Sequence, residues 1–380
     1  MQNIYVVDGG VGKNVLFSSF INDLYNRDNA KPIIMATFPQ IFENHPLVER
    51  SVNVNEPGFY DEVIKDHEGE VYFTNPYYSS FVKGKTHVLY EWAKQLGLEF
   101  KGQLPELYID SFAMSEAERF KKEKGDFIIV QFSGGQSPYE MNPKVPFLNR
   151  GMTRNYPYAY AQEVVNLIKE KHPDLTIVNF AFENEPTYNL KDCIRINSSF
   201  MLYIALLFEC KTYISIDSCL MHFAANKFNK KRGICLWGST GREHFGYDHN
   251  INMSNTETHS FRPLPCKLGD TYKSDGSLYL ANDEDSILVK PELIVDSLKR
   301  CIMYNDSFTY NKEDFVIETK KSNNIIELTK KSQDIFNNLL AQVNTLNRTY
   351  QTLIDSHVAA LGKDGRYSLS PDRTKLIKVG

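Results

Sequence analysis

Asn3-Ile4-Tyr5-Val6-Val7-Asp8-Gly9-Gly10-Val11-Gly12-Lys13-Asn14 carries the deciding pattern: an apolar run, a glycine-rich break, then the start of a helix. Asn3 to Val7 reads as a strand buried on both faces, and it stops abruptly at Asp8-Gly9-Gly10-Val11-Gly12. From Asn14 to about Tyr25, the residues Val15, Leu16, Phe20, Ile21 and Leu24 fall on one helical face. Further on, strands are expected over Lys31–Thr37 and Val71–Thr74, and a helix over Thr86–Leu96. Strand–helix alternation of this kind means a parallel sheet covered by helices on both faces.

The pattern then restarts. Residues 116–124 form a charged stretch that suits a linker or a solvated helix. Phe127–Phe132 is an apolar strand that ends in Ser133-Gly134-Gly135. A helix over Tyr158–Lys171, a strand over Leu175–Ala181 and a helix over Ser199–Phe208 follow. Next come a strand over Thr212–Ile216, a helix near Leu220–Asn226 and a strand over Gly233–Trp237. The helix expected over Pro291–Tyr304 reads as returning toward the first unit. The chain is thus expected to be α/β. Two Rossmann-like, doubly wound parallel-sheet domains, residues 1–115 and 125–305, would face a cleft at the carboxyl ends of their strands.

Residues 322–380 differ in kind. Phe336, Leu339, Val343, Leu346, Tyr350 and Leu353 recur at alternating steps of three and four, a heptad seam. Two readings stay open: a helix packed on its own domain, or a coiled coil making a homo-oligomer through residues 329–357. Beyond it, alternating stretches flank Pro371-Asp372 and read as a terminal hairpin.

Composition bounds the function classes. A hydrophobic content of 42% with 24% charged residues is ordinary for a globular chain, and excludes disordered, collagen-like and disulfide-scaffold proteins. No run of ~18 apolar residues exists, so no membrane span is expected. The opening residues lack a basic flank and a long apolar stretch, so a cytoplasmic chain without a secretory leader is expected. A net charge of −4 argues against a surface built wholly for polyanions and leaves room for a local basic cleft. The six cysteines form no C-x-x-C pair and read as reduced, mostly buried thiols. His244, His249, His259 and Cys266 match no zinc-ligand spacing, so no metal is expected.

Gly9-Gly10-Val11-Gly12-Lys13 invites a P-loop reading, but Asn14 stands where the Ser or Thr that holds magnesium should be. What remains is a strand-to-helix turn that presents backbone N–H groups and a helix dipole to an anion, or a tight turn without a ligand. Ser133-Gly134-Gly135 repeats the device, and without a Cβ the backbone there can approach a phosphate closely. Arg150 and Arg154 follow in a polar loop, where an arginine can pair with a diphosphate through two parallel hydrogen bonds. In Ile214-Ser215-Ile216-Asp217-Ser218-Cys219-Leu220-Met221-His222, a buried strand delivers Asp217 and Ser218 to the opening of a helix. His222 lies on the same face as Ser218. Asp217 either caps that helix or, with the hydroxyl and imidazole, holds the hydroxyls of a sugar.

Taken in order, these motifs resemble glycosyltransferase family 9, the heptosyltransferases. The motifs are Gly9-Gly10-x-Gly12, then Ser133-Gly134-Gly135 with Arg154, then Asp217-Ser218-x-x-x-His222-x-Ala224-Ala225 and Trp237-Gly238-Ser239-Thr240. The similarity spans about residues 1–305 and looks greatest to divergent members carried by large tailed phages. The resemblance implies a GT-B fold and a nucleotide-diphosphate sugar as donor, with no cofactor and no required metal. It places Ser133, Gly134, Gly135 and Arg154 at the diphosphate and Glu183 at the nucleoside. Asp217, Ser218, His222 and Gly238 would lie near the sugar and diphosphate. The acceptor, a glycan or a hydroxymethylated DNA base, would sit beside Gly9, Gly10, Gly12, Lys13 and Asn14. Acidic net charge mildly disfavours DNA.

One departure stands out. The family places a catalytic-base aspartate directly after the glycine turn, where this chain has Lys13-Asn14. Asp8, at the end of the strand, becomes the candidate base beside Asp217 as a catalytic residue. The same departure supports a second reading, a transferase fold reused without catalysis as a phage virion or assembly component.

Overall fold

The structure, a computed structural model, describes residues 2–56, 58, 60–77, 81, 86–134, 155–181, 188–196, 198–237, 241–254 and 289–318, and the strands 366–369 and 376–379. The chain divides into two compact units, Met1–Thr319 and Lys320–Gly380.

Among its described residues the larger unit holds two main parallel sheets and one two-stranded parallel sheet. In the first, β1 (Ile4–Val7) lies between β2 (Ile33–Ala36) and β4 (Val71–Phe73), with β3 (Arg50–Asn53) outside β2. All four residues of β1 are buried, as a strand covered on both faces requires. At its end Gly9 takes φ +93°, a conformation that side-chain-bearing residues rarely adopt. Helix α1 (Val11–Phe17) starts two residues later and runs through one 3₁₀ turn into α2 (Ile21–Asp28). Phe17 and Phe20 from this run pack against Trp92 of α3 (Val88–Gln95), with ring centroids 5.3 and 6.2 Å apart.

Strand β5 (Ile109–Asp110) leads into α4 (Ser111–Lys124), which Asp110 caps by accepting from the Ala113 N–H at 2.8 Å. The charged stretch 116–124 is thus the latter part of a helix. The second sheet contains β6 (Phe127–Gln131), β7 (Thr176–Asn179), β8 (Ile194–Arg195), β9 (Thr212–Ile216), β10 (Ile234–Leu236) and β11 (Ile251–Met253). Their spatial order is β11-β10-β9-β6-β7-β8, every pairing parallel. The chain winds from β6 outward to β8, then jumps back to lay β9 beside β6. Between β6 and β9 the winding therefore reverses, and doubly wound sheets leave their ligand crevice at that point.

Helices α5 (Tyr158–Lys171), α6 (Phe200–Glu209), α7 (Cys219–Ala224), α8 (Arg242–Phe245) and α9 (Pro291–Asp306) complete the unit. The expectation that the last of these returns to the first sheet is corrected. Ile294, Val295, Leu298 and Cys301 of α9 are buried in the same core as Val164 and Ile168 of α5 and Ile214 and Ile234 of the second sheet. It is the segment beyond α9 that reaches back: β12 (Val316–Ile317) pairs parallel with β5, which falls between the strands of the two sheets in the chain. In the smaller unit, β13 (Arg366–Leu369) and β14 (Leu376–Val379) pair antiparallel from Arg366↔Val379 to Leu369↔Leu376. The heptad residues 336–353 lie outside the described residues. No helix among the described residues is long and apolar enough to cross a membrane.

A buried polar cluster ties the segment joining the sheets to the second half. Glu106, 5% exposed, accepts from the Tyr108 hydroxyl at 2.7 Å and pairs with the Lys227 ammonium at 2.5 Å. Asn226 bonds both the N–H and the C=O of Leu107, at 3.3 and 2.9 Å. Lys227→Met strands a buried carboxylate, so it is expected to cost about 2–3 kcal/mol in urea denaturation. Adding Glu106→Gln should recover most of that loss.

All five cysteines among the described residues are free, and Cys210, Cys219, Cys235 and Cys301 are buried. Burial pushes the Cys210 and Cys301 thiols up to about 11 and those of Cys193 and Cys235 up to about 12. None of these four is a thiolate near neutral pH.

Candidate functional site

The carboxyl end of β9 delivers Asp217 and Ser218, and α7 begins at once with Ser218 as its cap residue. Its hydroxyl makes no capping bond, and Asp217 is not the cap. Asp217 is 6% exposed and Ser218 9%, so both are buried at this strand end.

Both glycine turns converge on this strand end. A β-carbon built at Gly134 would stand 2.8 Å from the Ser218 hydroxyl oxygen and 3.3 Å from the Gln131 amide nitrogen. At Gly12 it would stand 3.1 Å from Cδ2 and 3.6 Å from Nε2 of His222. Only glycine permits these approaches without displacing a neighbour. The Gly12 contact also packs α1 of the first half against α7 of the second. On its other side His222 shares a hydrogen bond with the Tyr247 hydroxyl, Nδ1 to Oη 2.9 Å. Burial raises the Tyr247 phenol well above its usual range, so it stays protonated and fixes the imidazole's orientation.

At the first turn, Asp8 lies just past β1 with its side chain 71% exposed, and Lys13 reaches back to it at 2.5 Å. Lys13 itself is 8% exposed. Its ammonium lies 5.7 Å from the ring centroid of Tyr77 and 6.0 Å from that of Trp92. The site thus places a carboxylate and an ammonium together at the end of the central strand of the first sheet.

In the first turn the Asn14 side chain is fully buried. Its amide donates to the Gly10 carbonyl at 3.0 Å and accepts from the Phe38 N–H at 3.3 Å, so it staples the turn to the loop after β2. In the second turn the Gly134 N–H donates to Asn155 Oδ1 at 3.0 Å. Gly135, Arg154, Glu183 and Gly238 lie outside the described residues.

Four contributors escaped sequence reasoning: Gln131, Asn155, Tyr77 and Tyr247. Gln131 is 2% exposed and accepts from the Ser215 hydroxyl and the Leu220 N–H, both at 3.4 Å. Its signal was a polar residue closing the apolar run Phe127-Ile128-Ile129-Val130. The other three lie in loops without periodicity. Among the described residues no cluster of His, Cys, Asp and Glu is arranged to hold a metal ion.

Two all-parallel Rossmann-type sheets, with both glycine turns brought onto one strand-to-helix junction, define the GT-B class of fold. A glycosyl transferase family 9 structure from Veillonella parvula shares it at a TM-score of 0.57 and 13% identity, covering 80% of this chain and 97% of that one. The E. coli ADP-heptose LPS heptosyltransferase II matches at a TM-score of 0.55 and 13% identity, covering 81% and 100%. The fold is thus that of the family 9 glycosyltransferase structures. No protein-family model and no curated protein matches the chain.

Proposed function

We propose that this chain is a glycosyltransferase that moves a sugar from a nucleotide-diphosphate sugar to an acceptor hydroxyl. The observation that carries the reading is the convergence of Gly134 with Ser218, and of Gly12 with His222, where the winding of the second sheet reverses. The diphosphate is assigned to the Ser133–Gly135 turn with Arg154, the nucleoside to Glu183, and the sugar hydroxyls to Asp217, Ser218 and His222, with Gly238 nearby. Asp8 faces the acceptor as general base.

In the displacement the acceptor oxygen bonds to the anomeric carbon as the bond from that carbon to the diphosphate oxygen breaks. The acceptor proton passes to Asp8, and the nucleoside diphosphate leaves with the bonding pair. Lys13 offsets negative charge across the cleft from the leaving group. The acceptor is a glycan or a hydroxymethylated DNA base, and the setting is the cytoplasm of a phage-infected host. Residues 329–357 are assigned to self-association.

Thermal unfolding against a panel of nucleoside diphosphates and nucleotide sugars tests the reading. A ligand at a hundred times its dissociation constant adds ~2.7 kcal/mol to the folded state, a clear upward shift. A shift with one nucleotide and its sugars is expected. No shift across the panel would favour the non-enzymatic virion or assembly component.

A further inference from the structure

A cavity of about 700 Å³ opens between the α3 segment with its following loop and residues 242–252 of the second half. That volume falls among those of small-ligand sites, about 300–1,000 Å³. Among the described residues, its lining includes none of Ser133, Gly134, Asp217, Ser218 and His222, which are assigned to the nucleotide sugar.

The lining is mixed in a particular way. Phe100, Leu104 and Tyr247 supply apolar and aromatic surface. Arg242 supplies a positive charge and Glu243 and Asp248 negative ones; the Arg242 and Asp248 side chains are exposed, and neither of these two enters an ion pair among the described residues. His249 adds a buried Nε2 that has no hydrogen-bond partner among the described residues. An anion entering here meets the Asp248 carboxylate, and a cation meets the Arg242 guanidinium. A neutral polyhydroxylated ligand uses both, since each hydroxyl donates and accepts. The rings then take the C–H faces that such a ligand leaves apolar.

We propose that this cavity is a binding site for a neutral saccharide, held by Arg242, Asp248 and His249 over the Phe100 and Tyr247 rings. Binding there does not depend on the transfer reading. Tyr247 is a shared wall, with its hydroxyl on His222 and the residue itself in the cavity lining.

Calorimetric titration of the full chain with maltotriose, cellotriose, chitotriose and mannotriose tests the site, with sialyllactose as the anionic control. At least one neutral trisaccharide is expected to bind. Loss of a hydrogen bond to a charged group weakens a complex by about tenfold or more. Arg242→Ala and Asp248→Ala should each show that loss with unchanged melting, and Asp217→Ala should bind as the wild type does. The proposal is overturned if no neutral glycan binds, if only sialyllactose binds, or if both cavity variants retain wild-type affinity. Loss of binding in Asp217→Ala would move the saccharide into the nucleotide-sugar crevice and equally overturn it.

Discussion

Asp8→Asn is expected to lower the transfer rate at saturating substrates by about 10²–10⁴-fold, the contribution of a positioned general base. Asparagine keeps the shape of the side chain and its place after β1 but removes the proton-accepting charge. Asp8 suits the role because most of its side chain is exposed and Lys13 fixes it at 2.5 Å. The dissociation constant for the nucleotide sugar should stay unchanged, since the donor is assigned to the second sheet. Single-turnover kinetics with a separate binding titration distinguishes the two quantities. An unchanged rate would take Asp8 out of the chemistry.

The second large effect concerns acid. Burial pushes the His45 imidazole down to about 3 and those of His87 and His249 to about 4, against an ordinary value of 6.5. The Lys227 charge adds to the effect at His45, and those of Arg232 and Lys230 at His249. The unfolded chain therefore takes up protons from about pH 6.5 downward, while the folded chain stays neutral at these sites until about pH 4. Stability is whole above pH 6.5 and falls as the pH drops through this window, at up to ~1.4 kcal/mol per unit for each histidine. His87 and His249 are partly exposed, which reduces their share. A loss of roughly 2–5 kcal/mol between pH 7 and 5 is expected in urea denaturation. His45→Gln should flatten the slope, and a pH-independent midpoint would contradict the assignment.

Much of the architecture was legible because both sheets are parallel and buried. Their strands are continuous apolar runs, as in Ile4–Val7, Phe127–Gln131 and Thr212–Ile216, and helical spacing falls between them. The elements that sequence missed are short or edge-placed: β3, β8 and β11 are only partly buried, so no apolar run marks them. The direction of α9 was misread because an amphipathic pattern says that one face is buried, not which sheet buries it. At the site, glycines and the Asp217–His222 spacing were visible because they sit at strand ends. The backbone contacts of the Asn14 amide were not legible, because burial, not spacing, decides whether an amide faces a ligand or its own backbone. Tyr247 and Asn155 act through partners 25 and 21 residues away, a pairing that the fold alone creates.

The decisive measurement is a calorimetric titration of the wild type and Asp217→Ala with a nucleoside diphosphate and with its matching nucleotide sugar. A carboxylate holding sugar hydroxyls contributes about 1.5–3 kcal/mol through charge-assisted hydrogen bonds. The variant should therefore bind the nucleotide sugar about 10–100-fold more weakly than the wild type does, and the diphosphate equally well. Equal affinity of both proteins for the nucleotide sugar, or no binding of either ligand by the wild type, would contradict a donor site at the end of β9.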